Sequence, residues 1–267
     1  MKVAFIGAGR LAANLSRALA AAGHDIVQVY SRTAESAGFV AEFSGSRPVT
    51  DTGSITMEAD IYIVSVSDSA IAGLLDEICP GREDKLFVHT AGSIPMDIFK
   101  GRVHRYGVLY PMQTFSKDRF VCFRDIPVFI EASDAAALET VRALASTVSG
   151  RVEPLSSDDR RYIHLAAVFA CNFVNHCYAL SADILASRGV PFDVMLSLVD
   201  ETARKVHEIA PAAAQTGPAM RYDVNVIGAQ ADMLGDSPMA KEIYELMSRS
   251  IHQKAREASA RRHNGKE

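Results

Sequence analysis

With 267 residues, 48% of them hydrophobic, the chain is long enough for one or two domains with a sizeable core. Its net charge of −4 gives no reason to expect nucleic acid or an anionic membrane surface as a partner. No apolar stretch is expected to reach the roughly 20 residues that span a bilayer, and the chain opens directly into a strand, so no signal peptide is expected either.

The first element is the apolar run Lys2-Val3-Ala4-Phe5-Ile6, which stops at Gly7-Ala8-Gly9-Arg10-Leu11-Ala12. Leu11, Leu15, Ala18, Leu19 and Ala22 then recur at helical spacing up to Gly23. Strand, glycine turn and helix form the context in which G-x-G-x-x-A means dinucleotide binding. Gly7 suits a tight turn, and Gly9 lets the backbone approach a pyrophosphate. Ala12 lets the helix pack close to the sheet, and the helix N-terminus offers N–H groups to the phosphates through Ala8 to Leu11. The alternative is a plain strand-to-helix turn.

The second strand, Asp25 to Tyr30, ends in Ser31-Arg32-Thr33. An NAD site usually carries an acid here for the ribose 2′-hydroxyl, and none is present. The Arg32 guanidinium and the hydroxyls of Ser31 and Thr33 instead suit a 2′-phosphate, which points to NADP. The alternative is that Ser-Arg-Thr merely caps the next helix.

Alternation continues to about residue 152. Asp60 to Val66 reads as a buried parallel strand, followed by a helix starting at Ser67-Asp68 with Ile71, Leu74, Leu75 and Ile78 on its apolar face. Strands are expected at Lys85 to His89, Arg105 to Tyr110, Ile126 to Ile130 and Arg151 to Glu153, with a helix from Ala135 to Val148. After Pro154 no strand signal remains. Helices are expected over Asp158–Ser187, Asp193–Ile209, Asn225–Leu234 and Pro238–Ala258, with a loop at Thr216-Gly217-Pro218-Ala219 and a fraying tail from Gln253 to Glu267 that includes Lys266. The expected architecture is an α/β Rossmann-type parallel sheet domain, residues 1–153, followed by an all-α domain, residues 154–267. The four cysteines, Cys79, Cys122, Cys171 and Cys177, form no zinc pattern and are expected to be buried free thiols of a cytoplasmic protein.

Ligands of an open parallel sheet collect at the carboxyl ends of its strands. That gathers the glycine turn, Ser31 to Thr33, Ser67 with Asp68, and His89-Thr90-Ala91-Gly92-Ser93 around one crevice bordered by Tyr110 to Thr114. Ser67 and Asp68 are expected along the cofactor's ribose and phosphates, with an N-cap role open for Asp68. His89 and Thr90 are expected beside the nicotinamide. For His89 a structural role, donating to a backbone carbonyl, is the favoured reading. On the long helix, His164, Cys171 and Asn175 fall within about 20° of one face, with Asn172 about 80° away. His164 and Asn172 face either a substrate or a helical interface. Arg221, with Asp223, is expected either to hold an anionic substrate or only to pin its loop.

These stretches resemble a bacterial family of Rossmann-like NADP oxidoreductases with a C-terminal helical domain of unknown function. The carriers are residues 7–12, 89–93, Tyr110-Pro111-Met112-Gln113-Thr114-Phe115, His164 with Asn172, and residues 216–223. More distantly the chain is similar to pyrroline-5-carboxylate reductase, ketopantoate reductase and the β-hydroxyacid dehydrogenases. The resemblance implies a cofactor domain facing a helical domain that often dimerises. The last two groups carry a catalytic Lys on the first long C-terminal helix, whereas residues 162–187 contain none. His164 is the nearest ionisable replacement.

Two functional readings follow. One is an NADPH-dependent reductase of a small, anionic carbonyl or imine compound, with His164 or a water held by Asn172 supplying the proton. The other is a non-catalytic NADP-binding or sensing protein that acts through its helical half. In either case the apolar first C-terminal helix suggests a homodimer.

Overall fold

A computed structural model describes residues 1–117 and 119–264, and it divides into two compact units, Met1–Asn172 and Phe173–Glu267. In the first unit the elements are β1 (Lys2–Ile6), α1 (Arg10–Ala21), β2 (Asp25–Tyr30), α2 (Ala34–Ser44), β3 (Arg47–Val49), β4 (Ile61–Val64) and α3 (Asp68–Ile78). They continue with β5 (Leu86–His89), β6 (Arg105–Pro111), β7 (Val128–Ala132), α4 (Ala135–Ser146), β8 (Val152–Pro154) and α5 (Ser157–Ala167). The expected boundary at residues 153–154 marks the end of the sheet. The division between units comes later, because α5 is tied to the sheet through Arg160, as described below.

The eight strands lie in the order β3-β2-β1-β4-β5-β6-β7-β8. All pairs from β3 to β6 are parallel, β6 and β7 are antiparallel, and β7 and β8 are again parallel. The expected Rossmann-type parallel sheet is present, with β7 turned antiparallel to β6. A parallel return needs a crossover, usually a helix. Residues 112–127 hold no helix among those described, so the chain comes back antiparallel. The short edge strand β3, Arg-Pro-Val, carries no hydrophobic pattern and was not anticipated. Its proline sits where an edge tolerates a missing donor.

Strand alternation sends Val3, Phe5, Ile61, Ile63, Leu86 and Val88 into one core with α1 and α4. Ala4, Ile6, Tyr62, Val64 and Phe87 enter a second core with α3. Both faces are therefore covered, which is why these strands read as continuous apolar runs.

After α5 comes a π turn, Val168–Phe173, then α6 (Val174–Ala186). The helical stretch Ser157–Ala186 is long and apolar enough, by length and composition alone, to cross a membrane. This corrects the expectation that no stretch is, because Asn172, Asn175 and His176 do not interrupt the helix. The second unit continues with α7 (Leu196–Glu208), α8 (Pro211–Ala214), α9 (Pro218–Arg221), α10 (Val224–Asp232) and α11 (Pro238–Asn264). The expected loop at residues 216–219 therefore becomes a short helix from Pro218 onward, proline being suited to the first helical position. The tail is helical to Asn264, and Lys266 lies outside the described residues. Of the cysteines only Cys79 is buried. Cys122 and Cys177 are exposed, contrary to expectation.

Candidate active site

The glycine turn is fixed by crowding. Gly7 has φ +112°, and a Cβ there would lie 2.2 Å from the Ser65 carbonyl oxygen just beyond β4, so no side chain fits. Gly9 is the extended N-cap of α1, and no side chain caps that helix. Its first-turn N–H groups, including those of Arg10 and Leu11, lack intrahelical acceptors and suit a phosphate. A Cβ on Gly9 would come no nearer than 4.0 Å to other atoms, so the backbone there is open to close approach. Ala8 is buried beneath the turn, while the Leu11 side chain packs on the first core, leaving its backbone as the group a ligand can use.

At the end of β2, Ser31 is half-buried and Arg32 is exposed with no ion pair among the described residues. Thr33 caps α2, its hydroxyl accepting the Ser36 N–H at 3.4 Å. At α3, Ser67 takes the N-cap position without a side-chain bond. Asp68 is the first helical residue rather than the cap, and its carboxylate accepts the Ser93 hydroxyl, which links α3 to the loop after β5.

His89 is 0% exposed, so its ring is closed to a ligand in the crevice, and the expectation of side-chain cofactor contact is corrected. Its Nδ1 accepts the Ala91 N–H at 3.2 Å and its ring stacks on Phe99. Nε2 has no hydrogen-bond partner among the described residues. Burial, assisted by the Arg160 charge, pushes its pKa down to about 3. The unfolded chain, with its His near 6.5, therefore binds the extra proton between those two values. Stability should fall as the pH drops through 6.5 toward 3, by up to about 1.4 kcal/mol per unit from this group, with no contribution above that window. Urea unfolding between pH 7 and 5 should show a shallower loss for His89→Gln than for the wild type. Equal slopes would contradict it. Thr90 is also buried, its N–H held by the Val64 carbonyl.

The loop after β5, the end of β6 and α5 converge on one histidine. His164 Nδ1 lies 3.0 Å from the hydroxyl of Tyr110, at the end of β6. A Cβ on Gly92 would lie 2.4 Å from that Nδ1 and 2.9 Å from the His164 Cβ, so only glycine lets the helix histidine rest on this loop. One turn earlier, Arg160 is 1% exposed. It donates to Glu131 of β7 at 2.8 Å, to the Ile94 carbonyl at 2.5 Å and to Ser157 at 3.2 Å. Ser157 in turn donates its N–H and hydroxyl to Glu131 at 2.9 and 2.6 Å. This buried cluster clamps the start of α5 to the sheet and so aims His164 toward the strand ends. Sequence reasoning missed Arg160 and Glu131. Their signal was the i, i+4 spacing that puts Arg160 on the face of His164.

Asn172 is exposed within the π turn. The i→i+5 turn absorbs one extra residue, which shifts later positions by about 100° and brings Asn172, not Cys171, within about 20° of His164. Arg221 belongs to the second unit, exposed at the end of α9. Asp223 caps α10 by accepting the Val226 N–H, and no ion pair joins it to Arg221 among the described residues. A groove of about 550 Å³ lined by Tyr222, Arg249, His252 and Arg256 lies wholly in the second unit and contains none of the expected site residues. Among the described residues no cluster of His, Cys, Asp and Glu suits a metal ion.

An uncapped glycine turn, a basic residue where NAD sites carry an acid, and a helical C-terminal part define a Rossmann-type NADP oxidoreductase. Residues 2–92 match the family model described as NADP oxidoreductase coenzyme F420-dependent, and residues 126–251 match a domain of unknown function, DUF2520. The chain is 55% identical to a protein from Bacteroides fragilis classed as an NADP oxidoreductase, with TM-score 0.92 over 94% of this chain and 98% of that one. The chain belongs to this NADP oxidoreductase family, and NADP is its cofactor.

Two more distant structures share the fold. An imine reductase from Myxococcus stipitatus in complex with NADP⁺ has TM-score 0.63 and 18% identity, over 97% of this chain and 94% of that one. A pyrroline carboxylate reductase from Plasmodium falciparum with NADP bound has TM-score 0.61 and 12% identity, over 94% and 98%. No protein of curated function matches the chain.

Proposed function

We propose that the protein is a cytoplasmic enzyme that reduces a C=N or C=O bond of a small molecule with NADPH. NADPH supplies the hydride. His164, or a water held by Asn172, supplies the proton that completes the reduction. The observation that carries this reading is His164 seated on Gly92 beside the end of β5, hydrogen-bonded to a strand residue rather than within a helical core. The C=N chemistry named for the imine and pyrroline carboxylate reductases of the same fold supports the substrate class. NADPH oxidation measured against cyclic imines, 2-oxo acids and aldehydes tests it. Turnover of none of these classes would favour a non-catalytic NADP-binding role, which the missing helix Lys also fits. An anionic substrate is a further part of this reading, and comparing a carboxylate with its amide tests it.

The Gly9 turn and the first-turn N–H groups would hold the pyrophosphate, with Arg32 and Ser31 on the 2′-phosphate. Replacing Arg32 by Ala should weaken NADPH binding by about 1.5–3 kcal/mol, the range for hydrogen bonds to charged groups, and leave NADH binding nearly unchanged. Calorimetry with both cofactors reads this directly. Equal wild-type affinities for NADPH and NADH would sink the assignment.

We further propose that the protein works as a two-fold homodimer. In the second unit only Ala231 and Ser248 are buried among the described residues, while Leu198, Val224, Met233 and Met239 are each more than 60% exposed. Helices so apolar need a cover, and a second copy is the commonest one. Light scattering at micromolar concentration should give twice the monomer mass. A monomer would refute the assembly.

A further inference from the structure

We infer that Tyr110 sets the tautomer of His164: the phenol donates to Nδ1, the ring proton sits on Nε2, and Nε2–H is what the enzyme presents to its substrate. This rests on the reading of His164 as the residue that faces the substrate. The Tyr110 oxygen and His164 Nδ1 are 3.0 Å apart, and the Tyr110 side chain is held within a strand end that is only 8% exposed. Either atom is able to donate, so the direction follows from chemistry. A phenol is a stronger donor than a neutral imidazole N–H, and an imidazole nitrogen is a stronger acceptor than a phenol oxygen. If Nδ1–H donated instead, the phenol proton would be left with the Met112 sulfur at 3.6 Å, a weak acceptor. Burial also raises the Tyr110 pKa, which keeps the donor protonated. Only glycine at position 92 leaves the space that the ring occupies in making this bond. Nε2 makes no hydrogen bond to the described residues and is not buried, so it is available to a ligand.

The consequence concerns substrate form. An Nε2–H donor pairs with a lone pair, such as a carbonyl oxygen or the nitrogen of a neutral imine. As that proton leaves Nε2 the phenol proton moves onto Nδ1, so the ring stays neutral and Tyr110 is reprotonated from water. The Nε2–H donor repels an N-protonated iminium, which has no lone pair to offer. Tyr110 is thus a positioning residue that selects neutral acceptors through His164.

Two-bond ¹H–¹⁵N correlation spectra of the full-length protein labelled with ¹⁵N-histidine test this without substrate or cofactor, with His164 assigned by its loss in His164→Gln. With the ring neutral, wild-type His164 should show a protonated Nε2 and an unprotonated Nδ1, with a bias of about tenfold, what one hydrogen bond supplies. Tyr110→Phe should move both shifts toward the tautomer average. Met112→Leu should leave them where they are. A wild-type ring protonated on Nδ1 overturns the inference, as do unchanged shifts in a folded Tyr110→Phe protein. If the tautomer is found but no substrate class is turned over, the functional reading fails while this one stands.

Discussion

Replacing His164 by Ala should lower kcat by about 10²–10⁴-fold, the usual range for losing a general acid or base, while the Kd for NADPH stays unchanged. The two parts separate because the histidine sits on the loop after β5, whereas the glycine turn proposed to hold the pyrophosphate lies between β1 and α1. The fold should survive. His164 is only partly buried, and its one hydrogen bond among the described residues is to Tyr110, whose hydroxyl keeps the Met112 sulfur within 3.6 Å. Steady-state turnover with whichever compound the NADPH screen finds gives kcat, and fluorescence titration gives the cofactor affinity. Turnover within a few-fold of wild type would remove His164 from the chemistry. A parallel loss of NADPH binding would instead make it part of the cofactor site.

Replacing Arg160 by Ala should destabilise the protein by about 3–5 kcal/mol, the cost of leaving one member of a buried ion pair without its partner. Arg160 is buried against Glu131, whose side chain is 17% exposed, at 2.8 Å. The pair joins α5 to β7, and Ser157 and the Ile94 carbonyl complete it. Arg160 Nε has no partner, so the cluster is not fully satisfied even in the native state. An uncharged pair should therefore be tolerated better than a broken ion pair: Arg160→Met with Glu131→Gln, which keeps an acceptor for Ser157, is expected to recover much of the loss. Urea unfolding of the single and double variants measures this. A loss below about 1 kcal/mol for Arg160→Ala would show that α5 is held by something else.

Much of the fold was readable because its signals are local. The run Lys2–Ile6, the glycine turn and the helical spacing to Gly23 specify strand, turn and helix without reference to any other part of the chain. The absence of an acid after β2, with Arg32 in its place, is likewise a local fact, and it pointed to NADP. The antiparallel β7 was half legible, since residues 112–127 offered no helix to carry a parallel crossover. The three-residue β3 was not legible, because so short an edge strand is specified by pairing with β2 rather than by any pattern of its own.

The candidate site divides in the same way. That His89 and His164 mattered could be suspected from their places at a strand end and on an apolar helix. Which of the two is open to a ligand could not. Both are single histidines among apolar neighbours in sequence, and only the packed sheet buries one against Phe99 and seats the other on Gly92 beside Tyr110. Helix phase was misjudged for a related reason. Ideal spacing placed Asn172 away from His164, and the π turn, which no residue pattern announced, changes that count. The sequence by itself determined the order of elements, the glycine turn and the cofactor, because each depends on neighbours a few residues apart. The tertiary structure decided the clamp of Arg160 on Glu131, the burial of His89 and the Tyr110–His164 bond, because the two bonds join residues 29 and 54 positions apart and the burial is set by distant neighbours, through contacts that exist only once the sheet has closed.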